Sequence, residues 1–290
     1  MNKINGHTRT CGVLGNPVEH TLSPVIHNNL ADMLGHNLAY LPFRVPMGHV
    51  GDAVKGAFAL HFLGLNVTVP FKSDVIPYLA DIDPLAKQIG AVNTLVRGEE
   101  GFKGYNTDVP GLYRAMCSDG VQFSGEKVLI LGAGGVARAV ALLMAQKDVA
   151  EIIILNRTVE RAEAIAAEVN GFAGREIVRA MAMADHVLLP EEEKYVVIQA
   201  TSVGMHPNED QVIIEDETFY RKVHVGYDLV YNPAETRFMK LTKAAGAPAY
   251  NGLKMLLYQG IIAYELWNDC VVTDEQADLI YGKMLENMKR

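Results

Sequence analysis

The sequence predicts an α/β fold: a small N-terminal α/β unit followed by a doubly wound unit built on a parallel sheet. Three observations carry this expectation. Short apolar runs alternate with helix-period segments along most of the 290 residues. The stretch Lys127–Ala145, KVLILGAGGVARAVALLMA, runs from strand through glycine turn to helix without a break. Pro110-Gly111, near the start of a helical segment, marks a boundary just before that stretch.

Arg9 to Leu14 reads as a strand that Gly15-Asn16-Pro17 ends. Ser23-Pro24 has the order of an N-cap followed by proline at the first helical position, opening a helix through Leu34. Thr21 lies before that helix. Leu38 to Val45 is a second strand, Val50 to Phe62 a helix and Leu65 to Val69 a third strand. Thr68 and Lys72 follow near its C-terminal end, the edge where open α/β sheets bind ligands. Asn93 stands at the start of another strand, and Phe102 to Tyr105 leads to Asp108, a candidate N-cap for the helix to Met116.

Lys127 to Leu131 has β-branched Val128 and Ile130 and reads as a buried strand. Gly132, Gly134 and Ala137 match the G-x-G-x-x-G/A dinucleotide fingerprint, which sets backbone N–H groups at a helix N-terminus. Val136, Val140, Leu143 and Met144 form the expected apolar face of that helix. The next strand, Ile152 to Leu155, ends in Asn156-Arg157-Thr158 with no acidic residue to take a ribose 2′-hydroxyl. Arg157 and Arg161 instead suit a 2′-phosphate, so the reading is NADP over NAD.

After Arg161 a helix runs to Val169. Strands near Tyr195–Gln199 and His224–Val230 continue the βαβ alternation, a helix Phe238–Ala245 stops at Gly246, and Leu253–Trp267 is an apolar helix burying Met255, Leu256 and Ile262. Thr273 and Gln276 form a capping box for the last helix.

Composition excludes several classes. With 49% apolar and 21% charged residues the chain reads as a soluble globular protein. A net charge of −8 and a pI near 5.6 oppose a nucleic-acid surface. Met1–Thr10 lacks the apolar core of a signal peptide, and no uncharged run approaches a membrane span. Cys11, Cys117 and Cys270 are odd in number and unpaired in pattern, which points to a reduced, cytoplasmic protein. The nine histidines form no H-E-x-x-H or Cys/His cluster, so no metal site is expected.

Taken together, HTLSPVIHN (20–28), NVTVPFK (66–72), GAVNT (90–94), GYNTD (104–108), LGAGGVARA (131–139), NRTVERA (156–162), ATSVGM (200–205), DLVYNP (228–233) and GLKMLLYQ (252–259) resemble the shikimate dehydrogenase family over nearly the whole chain. The resemblance implies a substrate-binding catalytic domain, 1–109 completed by 253–290, and a Rossmann NADP-binding domain, 110–252. It implies Lys72 and Asp108 as the catalytic pair. Thr21, Ser23, Thr68, Lys72, Asn93, Asp108, Tyr231 and Gln259 become the expected contacts of shikimate or 3-dehydroshikimate. Gly132, Ala133, Gly134, Gly135, Val136, Asn156, Arg157, Thr158 and Arg161 become the expected cradle of NADP, with Leu229 and Gly252 near the nicotinamide. The oligomeric state stays open, with a homodimer one assembly the sequence permits.

The chain departs from the family at one position. The common Ser-x-Ser pattern is Thr21-Leu22-Ser23 here, which keeps both hydroxyls but adds a methyl and stiffens χ1. Quinate has an extra hydroxyl beside the carboxylate expected to bind here, so Thr21 bears on shikimate against quinate. A quinate/shikimate dehydrogenase with broader cofactor use is the nearest alternative reading. A catalytically silent NADP sensor is a more distant one, since a sensor has no need of an acid–base pair.

Overall fold

The computed structural model describes residues 4–288. The chain divides into two compact units, Met1–Gly111 with Leu256–Arg290, and Leu112–Met255.

The first unit carries β1 (Arg9–Gly15), β2 (Leu38–Arg44), β3 (Gly64–Val67), β4 (Asp81–Ile82), β5 (Thr94–Arg97) and β6 (Phe102–Tyr105). They form one sheet in the order β2-β1-β3-β5-β6-β4. β1 is parallel to β2 and β3, whereas β5 runs antiparallel to both β3 and β6. The reversal has one consequence for the site. The start of β5 shares a sheet edge with the ends of β1, β3 and β6, so residues from four separate segments meet there. The helices are α1 (Ser23–Leu34), α2 (Val50–Ala59) and α3 (Pro84–Ile89), with later segments described below. Leu14, Val54, Leu65, Val67, Phe71 and Phe102 belong to the core beneath the sheet.

α2 stops at Ala59, earlier than the expected Phe62, because His61 turns into the left-handed region at φ 59°. β3 stops at Val67, leaving Thr68 on the connection. β4 and α3 escape sequence patterning because they are two and six residues long.

His27 of α1 is fully buried and stacks on Tyr40 with ring centroids 4.1 Å apart. Burial pushes its imidazole down to about 3, against a smaller opposing effect from Asn66. The folded chain therefore holds His27 neutral where the unfolded chain protonates it. Its contribution is fully present above pH 6.5 and is lost progressively as pH falls towards 3. Between pH 6.5 and 4 the loss amounts to about 3 kcal/mol. In urea unfolding, His27→Phe is expected to lose about that much less than the parent over the same pH interval. Parallel pH dependences for the two proteins would contradict this assignment.

The second unit contains β7 (Lys127–Leu131), β8 (Glu151–Asn156), β9 (Val178–Ala182), β10 (Tyr195–Gln199), β11 (Val223–Asp228) and β12 (Ala249–Tyr250). All neighbours are parallel, in the order β12-β11-β10-β7-β8-β9. This is the doubly wound strand order, with its reversal between β7 and β10, where such sheets bind nucleotides. The remaining helices are α4 (Asp108–Ser118), α5 (Gly135–Met144), α6 (Val159–Ala173), α7 (Glu217–Tyr220), α8 (Arg237–Ala244), α9 (Leu253–Asn268) and α10 (Asp274–Met288). β9, α7 and β12 were not expected: β9 is half-exposed without clean alternation, and the other two are very short.

Two expected apolar faces need correction. In α9, Leu253, Leu257, Tyr258, Ile261, Tyr264 and Trp267 are buried, whereas Met255, Leu256 and Ile262 are only partly so. Trp267 also donates to the Leu95 carbonyl at 2.9 Å, fixing which face turns inward. In α5, Val140, Leu143 and Met144 are buried but Val136 is 47% exposed, beside the glycine turn. The capping box forms as the spacing predicts: Thr273 N–H donates to Gln276 Oε1, and Gln276 N–H donates to Thr273 Oγ1.

Candidate active site

At the shared edge of the first sheet, Lys72 Nζ donates to Asp108 Oδ2 at 2.6 Å, with both side chains partly accessible. Asp108 Oδ1 accepts from Asn93 Nδ2 at 2.9 Å. Asn93 Nδ2 also faces Gln259 Oε1 at 3.4 Å, and Gln259 is anchored by its own donation to the Leu256 carbonyl. The four side chains come from the β3–α3 connection, the start of β5, the start of α4 and the middle of α9. Their polar atoms interlock, so the ammonium and the carboxylate face one accessible patch with little freedom of orientation.

Thr21 and Ser23 form a second group on the same unit. Thr21 Oγ1 donates to Ser23 Oγ at 3.1 Å and accepts from Ser23 N–H at 3.2 Å. The expected cap role of Ser23 is not seen. The N-cap is Leu22, without a side-chain cap bond, and its carbonyl accepts from Val25 and Ile26 N–H. The Ser23 hydroxyl is thereby left for other partners. Thr68 sits past β3, where its N–H donates to the Leu14 carbonyl and its carbonyl accepts from Phe71.

Sequence reasoning missed the buried polar residues that hold this edge. Thr107 N–H donates to Asn93 Oδ1 at 2.8 Å, and its hydroxyl lies 3.1 Å from Asn93 Nδ2. Asn106 Oδ1 accepts from Asp108 N–H while its Nδ2 donates to the Ala91 carbonyl. Asn66 accepts from Tyr40 Oη at 2.7 Å and donates to Thr94 Oγ1. A signal existed: Asn66, Asn106 and Thr107 stand inside the same short motifs as Thr68 and Asp108, and polar residues amid apolar strand ends need partners.

In the second unit, Gly132 turns the chain after β7 at φ 110°, and a Cβ there would lie 2.5 Å from Thr201 Cγ2. At Gly134 and Gly135 an added Cβ would meet nothing within 4 Å. The turn is therefore open on its outer side, as a pyrophosphate laid on the N-terminus of α5 requires. Ala133 is partly buried within this turn. Asn156 closes the adjoining β8 end by donating to the Thr158 carbonyl at 2.8 Å. Arg157, Thr158 and Arg161 are exposed at the start of α6, and among the described residues neither guanidinium is paired with a carboxylate. These residues fit a dinucleotide carrying a 2′-phosphate.

Leu229 and Tyr231 follow β11. Gly252 packs on Leu229 so closely that a Cβ would lie 2.3 Å from the Leu229 carbonyl oxygen. Tyr231 is 37% exposed, and partial burial pushes its phenol above the usual range. It belongs to the second unit, whereas the other expected substrate contacts belong to the first. Beneath it, burial pushes the Asp228 carboxyl up to about 6.

A doubly wound sheet with an open glycine turn, on a chain that also carries a lysine–carboxylate pair among polar side chains, defines a dinucleotide-dependent oxidoreductase. Residues 13–95 match the shikimate dehydrogenase substrate binding domain, and residues 116–223 match shikimate / quinate 5-dehydrogenase. The shikimate dehydrogenase (NADP(+)) of Carboxydothermus hydrogenoformans is 42% identical over 265 residues, covering 91% of this chain and 93% of that one. A shikimate dehydrogenase solved with NADP+ superposes with a TM-score of 0.88 at 34% identity, covering 100% of this chain and 99% of that one. The Listeria monocytogenes shikimate 5-dehydrogenase, solved with shikimate and NAD, gives 0.88 at 32% identity, covering 97% and 98%. The chain belongs to the shikimate dehydrogenase family.

Proposed function

We propose that this protein is an NADP-dependent shikimate dehydrogenase that interconverts 3-dehydroshikimate and shikimate. The observation that carries the reading is the 2.6 Å Lys72–Asp108 pair, interlocked with Asn93 and Gln259 on one accessible patch. Bound NADPH supplies the hydride for reduction. The residues of this chain supply the rest. As hydride reaches the carbonyl carbon, negative charge grows on its oxygen, and the Lys72 ammonium stabilises that charge and donates the proton. Asp108 keeps Lys72 aimed through Oδ2 and serves a ring hydroxyl. In oxidation Lys72 takes the hydroxyl proton instead. Thr68, Asn93 and Gln259 suit the remaining ring hydroxyls, and Thr21, Ser23 and Tyr231 the carboxylate. Three free cysteines, Cys11, Cys117 and Cys270, support work in a reducing compartment such as the cytoplasm.

Oxidation of shikimate and of quinate, each with NADP and with NAD, tests this reading. Shikimate with NADP is expected to give the highest kcat/KM; quinate with NAD in that place would overturn it. Both bonds between Thr21 and Ser23 fix the Thr21 rotamer, so its extra methyl is held in place. Thr21→Ser is therefore expected to move the ratio of kcat/KM towards quinate by about tenfold, the scale of one methyl group. An unchanged ratio would mean that selectivity is set elsewhere.

A further inference from the structure

Asp228, Gln199 and Thr236 are at most 1% exposed, yet all are polar and all lie at the C-terminal ends of β10 and β11 or just beyond. A buried carboxylate persists only where its oxygens are fully engaged. Asp228 Oδ2 accepts from Thr236 Oγ1 at 2.6 Å, and Oδ1 accepts from Val230 N–H at 3.0 Å and Gln199 Nε2 at 3.2 Å. Gln199 carries the connection onward. Its Nε2 also donates to the Val203 carbonyl, and its Oε1 accepts from Thr201 N–H and Thr201 Oγ1. The loops after β10 and β11 are joined again where His206 N–H donates to the Asn232 carbonyl. Tyr231 is thus clamped on both sides, through Val230 to Asp228 and through Asn232 to the neighbouring loop.

We propose that Asp228 is a positioning residue for substrate binding, acting through the Val230–Asn232 backbone to hold Tyr231, with Gln199 as its partner. The proposal rests on the assignment of Tyr231 to the substrate carboxylate. The phosphate cradle at Gly132–Gly135 and Asn156–Arg161 makes none of these bonds, so the effect falls on one substrate. The hub also explains why DLVYNP begins with an acid: only an acceptor with two oxygens can serve Val230, Gln199 and Thr236 at once.

The test is steady-state shikimate oxidation by Asp228→Ala, Asp228→Asn and Gln199→Met, beside Tyr231→Phe. Asp228→Ala is expected to raise the KM for shikimate by about 10–100-fold, the scale of an ångström of misplacement, with the KM for NADP changed less than about threefold. Asp228→Asn keeps the Oδ1 acceptor and should recover most of the loss. If Asp228→Ala does not fold, Gln199→Met conserves volume and carries the same expectation. Parental shikimate KM in the folded variants, or equal changes for shikimate and NADP, would overturn the proposal. Tyr231→Phe separates the two levels. If its shikimate KM rises while that of Asp228→Ala does not, the hub is merely structural. If Tyr231→Phe itself is unchanged, the Tyr231 assignment has failed and the proposal with it.

Discussion

Lys72→Ala is expected to lower kcat by ~10²–10⁴-fold in both directions, while the dissociation constant for shikimate changes by less than about tenfold. The split follows from where charge appears. In the ground state the substrate oxygen is a neutral carbonyl or hydroxyl, and Asn93, Gln259 and Asp108 remain to hold the ring. In the transition state the oxygen carries negative charge, and only Lys72 in this cluster is a cation. The loss corresponds to about 3–5 kcal/mol of transition-state stabilisation. Folding should be little affected, because a partly exposed ion pair contributes at most about 1 kcal/mol. Near-normal turnover in this variant would remove Lys72 from the mechanism.

Arg157→Ala is expected to weaken NADPH binding by about 1.5–3 kcal/mol, or roughly 10–150-fold, and to leave NADH nearly unchanged. The difference between the cofactors is a dianionic phosphate, and Arg157 stands exposed where β8 ends, with no carboxylate partner among the described residues to compete for it. Titration of both cofactors into both proteins checks the expectation. A similar loss for NADH would make Arg157 a support for the turn at Asn156–Thr158 rather than a reader of the 2′-phosphate.

The parts of this site that were legible in the sequence are those set by local rules. Gly132 announced a turn that only glycine fits, and Thr273 with Gln276 announced a cap, because both depend on neighbours within a few residues. The Lys72–Asp108 bond spans 36 residues and Asn93–Gln259 spans 166, and both depend on β5 being inserted antiparallel between β3 and β6. Residue spacing carries no trace of that order; motif resemblance named these residues without saying how they meet. Ser23 shows a local rule misapplied: Ser-Pro has the look of a cap, but the helix starts one residue earlier, at the Leu22 carbonyl. Asp228 was illegible for the opposite reason. At a strand end an acid looks solvated, and only the packing of α8 and the two loops shows it to be sealed in.

The central claim is that Lys72 and Asp108 act as one unit. The most direct test is the single-turnover rate of hydride transfer from shikimate to saturating NADP in Lys72→Ala, Asp108→Asn and the double variant. If the two side chains act together, the double variant should be within about threefold of the slower single variant. Losses that multiply across the two substitutions would mean that each residue acts alone, and the account would be wrong.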